Sequence, residues 1–158
     1  MDLAVAMRIN TAATALMIIL IPLMGWVSDR FVRRTKLIAI AIGLAAVCAL
    51  PLHYWMLTNS LMAAITTQFL LAALVAVPCG VAPATFVELF PTADRLSGYS
   101  ISFNLGLGIV GGSTPVVATW LIDVSGVEVA PAYYLVMFAL MAIGGVLWMQ
   151  DRSREPLL

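Results

Sequence analysis

Charge is scarce in this sequence. Asp, Glu, Lys and Arg together make up 10% of the 158 residues, against about 25% in a soluble domain. A soluble fold built from this chain would lack a polar surface. The charges are also bunched: none falls within 37–87, 96–122 or 129–150. Cysteine is nearly absent as well. Cys48 and Cys79 both lie inside apolar runs without metal-ligand spacing, so they read as small apolar residues, and neither a metal nor a cofactor is implied. With one histidine, His53, there is no Ser/His/Asp set. Gly106-x-Gly108 sits inside an apolar run, where it cannot be a phosphate loop at a strand–helix junction. The chain therefore does not read as an enzyme. Net charge is zero, which argues against a nucleic-acid partner. The first residues, Met1 to Ala4, carry no basic region ahead of an apolar core and do not read as a signal peptide.

What the chain has is greasy length. Hydrophobic residues make up 63% and mean hydropathy is +1.05. A membrane span needs about 20 apolar residues, and the charge-free runs predict five, at about 9–27, 37–55, 61–87, 99–122 and 132–149. The first contains Pro22. The third is expected to be broken by Pro78, Gly80 and Pro83. Between them lie a basic turn, an uncharged turn at 56–60, a polar loop at 88–95 and an acidic turn at 123–129, with a tail from Gln150 to Leu158. The fold class is all-α, a polytopic membrane protein with the lipid bilayer as its solvent. Five is an odd number of spans, so a piece of a larger bundle is expected.

Orientation follows from the basic turn, which holds three of the seven arginines within five residues, Arg30 to Arg34. Short loops rich in Lys and Arg stay on the cytoplasmic side. Counting from there, Arg30, Arg33, Arg34, Lys36, Arg95, Arg152 and Arg154 fall inside and only Arg8 outside, which places the C-terminus in the cytoplasm. Every Trp and Tyr falls at a span end, as interfacial anchors do. Trp26, Tyr99 and Trp148 belong to the inner side; Tyr54, Trp55, Trp120, Tyr133 and Tyr134 belong to the outer.

Few polar groups remain at membrane depth. Gln68, with Thr66 and Thr67, lies on the third span and Asn104 on the fourth. Such groups either line a water-filled cavity or bond between helices. Asn10, Thr11 and Thr14 lie near the outer end of the first span, where they suit a vestibule. His53 beside Tyr54 and Trp55 reads as an interfacial histidine, with proton coupling as the alternative. The fourth span carries Gly106, Gly108, Gly111, Gly112 and Ser113. Gly108-x-x-x-Gly112 allows close helix packing; the alternative is a flexible gate helix, and Pro115 adds an expected kink.

The basic turn, Gly25-x-x-x-Asp29-Arg30-x-Val32-Arg33-Arg34, resembles the inner-loop motif of the major facilitator superfamily, with Val32 where the family has glycine. Glu88-Leu89-Phe90-Pro91-Thr92-x-x-Arg95 looks like the loop between spans ten and eleven of its metabolite:proton symporter family, which includes proline/betaine and dicarboxylate carriers. Ser102-Phe103-Asn104, Gly111 to Pro115, Ala118 to Leu121 and Pro131 to Leu135 are similar to that family's last two spans. The resemblance covers about 11–158. It implies that this chain is a partial C-terminal six-helix half of a twelve-helix transporter in the plasma (inner) membrane. It also implies proton-coupled symport of a small polar metabolite by alternating access, with an N-terminal half as partner. The alternative is a truncated, non-transporting remnant, or a small membrane protein that only assembles with a partner half. Gly25, Asp29, Arg30, Arg33 and Arg34 would form an inner gate, with topology-setting as the plainer role of the arginines. Glu88 and Arg95 would form a second latch across their own loop or stay solvated, and Pro91 is expected to end the third helix. Gln68 and Asn104 are the candidate cavity residues.

Overall fold

A computed structural model describes residues 2–58 and 60–149. Met1, Asn59 and the tail from Gln150 to Leu158, with Arg152 and Arg154, lie outside the described residues. Helices α1 (Leu3–Arg30), α2 (Arg34–Met56) and α3 (Leu61–Val87) come first. A long rod follows: α4 (Arg95–Leu105), a π-helical segment (Gly106–Gly111) and α5 (Gly112–Ser125). Helix α6 (Ala130–Trp148) closes the chain. No strand occurs among the described residues. Five helical stretches are long and apolar enough to cross a membrane, the rod counting as one.

Each expected span lies within or almost within one of these helices, but the helices overrun the apolar runs. Helix α1 begins where the Asp2 carboxylate accepts the Ala4 N–H at 3.4 Å, because a capping oxygen satisfies one of the free first-turn donors. It runs past Asp29 to Arg30, since a helix that has crossed the apolar layer can continue among polar groups at the interface. The third span is not broken: Pro78 and Pro83 sit inside a continuous α3. Membrane helices tolerate proline where neighbouring groups take up the freed carbonyls. Nor does Pro91 end that helix, which stops at Val87 with Glu88 as its cap. Pro91 lies in the loop, where its carbonyl accepts the Asp94 N–H at 3.1 Å.

Helix α3 packs on both α1 and α2, α2 also packs on α6, and α6 carries α5. The seams are lined with small side chains, among them Ala13 on α1, Ala41 and Ala49 on α2, Ala63 and Ala76 on α3, and Ala132 and Ala139 on α6. Lipid is as apolar as a leucine, so membrane helices associate through close packing, which small residues allow. Gly80 approaches α1 closely. A methyl group there would lie 2.3 Å from the Ile21 carbonyl oxygen, so only glycine fits. Gly25 faces it, with its own Cβ position 3.4 Å from the Gly80 oxygen.

The rod is the exception. None of its residues is buried. The Gly108-x-x-x-Gly112 pair does not pack against another helix here: a methyl at Gly106, Gly108 or Gly112 would meet nothing within 4 Å. The stretch that reads as a packing face is instead a π-helical distortion.

Candidate functional site

The basic turn and the polar loop meet at one end of the bundle, above an apolar plug. The plug is formed by Ile38 of α2, Val81 of α3 and Val146 of α6, with Met24 of α1 packed against them. Helix α1 ends as the Phe31 N–H bonds the Val27 carbonyl at 2.9 Å. The turn through Val32 then leads into α2, which begins at Arg34. Buried Ser28 donates its hydroxyl to the Gly25 carbonyl at 2.7 Å, one residue before Asp29.

Arg34 is the centre of this end. Its Nη2 donates to Asp29 Oδ1 at 2.8 Å and its Nη1 to Glu88 Oε1. The Arg34 side chain is 15% exposed and that of Glu88 17%, whereas Asp29 is 59% exposed. One planar guanidinium thus grips two carboxylates with two separate nitrogens, a task an ammonium performs poorly. These are the two ion pairs found among the described residues. The first pairs the turn with itself. The second ties the basic turn to the end of α3.

The expected Glu88–Arg95 latch is therefore not formed. Arg95 instead donates from Nε to the Phe90 carbonyl at 3.4 Å, turning the loop back on the start of α4. Phe90 also packs its ring over Gly98, where an added methyl would lie 2.5 Å from a ring carbon. Among the described residues Arg30 takes no carboxylate; its guanidinium lies 5.4 Å from the Trp26 ring centre, within cation–π range. Trp26 in turn meets Phe31 edge-on at 5.6 Å. Arg33 is exposed at the cap of α2.

The two cavity candidates are not brought together. Gln68 lines a cleft of about 230 Å³ between α1 and α3 with Asn10, Ala13, Thr14 and Leu71. Its Nε2 donates to Asn10 Oδ1 at 2.9 Å. Asn104 is exposed on the rod and donates from Nδ2 to the Ser100 carbonyl one turn back, at 2.8 Å. The Asn10–Gln68 contact is a pairing that sequence reasoning missed, although it had picked out both residues separately. Both lie near the end opposite Arg34, where Tyr54 and Tyr133 share a hydroxyl contact of 3.1 Å. Two of the five aromatics assigned to that side are thus in contact.

The family model of the Major Facilitator Superfamily matches residues 2–157. The chain belongs to that superfamily. An ectoine/proline transporter of Corynebacterium glutamicum is 31% identical over 159 residues, covering 98% of this chain and 31% of that protein. A proline/betaine transporter of Salmonella typhimurium is 34% identical over 138 residues, covering 86% of this chain and 27% of the relative. A citrate-proton symporter of Klebsiella pneumoniae is 30% identical, covering 87% and 31%. These relatives place the chain in the metabolite:proton symporter family of the major facilitator superfamily, as a multi-pass membrane protein with transporters for relatives. The chain spans less than a third of the length of each. No solved structure gives a significant match.

Proposed function

We propose that this chain is the C-terminal portion of a proton-coupled symporter for a small polar metabolite of the proline, betaine or organic-acid kind. The observation that carries the reading is Arg34, held between Asp29 and Glu88. The contact joins the two loops whose residues resemble the family's inner loops. Charge pairs formed in one conformation and broken in another bias an equilibrium by their difference in energy between the two states. In this reading Arg34–Glu88 holds the inner end of α2 against α3 while the inner side is shut, and it parts when that side opens. Asp29 keeps the guanidinium aimed. The basic end faces the cytoplasm of the plasma membrane, as the arginine count predicts. The solute passes along a path that the Asn10–Gln68 cleft joins at the outer end, and the other wall of the path comes from an N-terminal half.

The uncovered rod favours a second reading, a non-transporting piece that only assembles with a partner half. Radiolabelled proline and betaine uptake in cells lacking osmolyte carriers separates the two. Alone, the chain should give no uptake above the empty vector. Produced together with the preceding portion of the Salmonella relative, it should give uptake that a protonophore abolishes. Uptake by the chain alone would overturn the partial-transporter reading. Uptake indifferent to the protonophore would overturn proton coupling, and no uptake from the pair would favour the non-transporting piece.

A further inference from the structure

We infer that the π-helical segment Gly106–Gly111 is a mid-rod hinge about which α4 swings while α5 stays with α6. The rod is held at its two ends by different neighbours. Its first half touches α3 and its second half touches α6, while the π segment contacts only the rod's own flanking turns. The first half is tied to the loop by Arg95 on the Phe90 carbonyl and by the Phe90 ring over Gly98. Between the two anchors every residue from Ile101 to Gly112 is exposed.

The segment is also locally weak. Three of its six residues are glycine, which gives up more conformational freedom in a helix than any other residue. Its backbone is out of α register, and π-helical stretches of this kind concentrate where helices work. On its far side Pro115 supplies no N–H. The Val110 carbonyl accepts two side-chain hydroxyls, from Ser113 at 3.1 Å and Thr114 at 2.9 Å. Such side-chain bonds let the backbone change register without leaving an oxygen unpaired. A swing of α4 would carry the 88–94 loop with it. The hinge does not rest on the gating reading above.

The test is a distance and an exchange rate within this chain, reconstituted in bilayer discs. Spin labels are placed at exposed Leu96 and Val124 by Leu96→Cys and Val124→Cys, with Cys48→Ser and Cys79→Ser. The pair should give a broad or two-peaked distance distribution. Gly106→Ala, Gly108→Ala and Gly112→Ala together meet open space and should narrow it. Amide exchange across 106–111 should be faster than in α5 and slow on the order of tenfold in the triple variant, because alanine favours helix strongly over glycine. Gly144→Ala with Gly145→Ala on α6, equally open, is the control and should leave the labels unchanged. A single narrow distance in the unsubstituted chain would overturn the hinge. So would exchange across 106–111 as slow as in α5, or a control that narrows the distribution equally. Because neither readout involves transport, a failed gate and a failed hinge give different results.

Discussion

Replacing Arg34 by glutamine removes the charge that two carboxylates share, and the two should respond unequally. Glu88 is 17% exposed and Asp29 59%. A hydrogen bond to a charged group away from water contributes about 1.5–3 kcal/mol, whereas an exposed ion pair contributes about 0.2–1 kcal/mol. Arg34–Glu88 belongs to the first class and Arg34–Asp29 to the second. Arg34→Gln should then destabilise the chain by about 2–4 kcal/mol, Glu88→Gln by about 1.5–3 and Asp29→Asn by under about 1. The measurement is unfolding of the purified chain in mixed micelles by titrated dodecyl sulfate, followed by helical ellipticity, with double-mutant cycles to isolate each pair. The Arg34–Glu88 coupling should exceed about 1 kcal/mol and the Arg34–Asp29 coupling should stay under about 0.5. Arg34→Lys should keep one partner and lose the other, since one ammonium cannot reproduce two separated nitrogens. Equal couplings, or a larger one to Asp29, would refute the view of Arg34 as a bridge between loops.

Gly80→Ala should cost about 1–3 kcal/mol in the same assay, because the added methyl meets backbone that must move, while Gly108→Ala should be neutral or stabilising by up to about 1 kcal/mol. Asn10→Ala and Gln68→Ala should each cost about 0.6 kcal/mol and no more than about 1.7, the average and the upper end for hydrogen bonds between membrane helices, and the double variant should be little worse than either single one.

The five long helices were legible because each rests on a long uncharged run, and a one-dimensional property is read well from a one-dimensional string. The loop partners were not. Arg34 and Arg95 are chemically identical, and sequence distance favours Arg95 as the mate of Glu88. The contact of α2 with α3 reverses that choice by bringing the first residue of α2 alongside the cap of α3. The glycines misled in a related way. Gly80 looks like a helix breaker beside two prolines, yet it is a contact point that the Ile21 carbonyl requires. Gly108 and Gly112 have the spacing of a contact motif and touch no other helix. A glycine has the same signature in a string whether it lets a neighbour approach or lets its own backbone bend. For Asn10 and Gln68 the polarity was visible and the partnership was not, because 57 residues separate them in the chain.

Among the described residues alanine supplies ten of the fifteen buried apolar side chains, and this sets which changes the bundle can absorb. Trimming an alanine removes a single methyl, so there is little volume to lose and damage by hollowing is slight. Enlargement is the danger, since an extra branch at Ala49, Ala63 or Ala132 would wedge two backbones apart. Serine adds one small atom and can return its proton to its own helix, as Thr85 does with the Val81 carbonyl at 3.0 Å. Drift at these seams should therefore run toward serine and glycine and stop at valine, a limit drawn by bulk and indifferent to polarity.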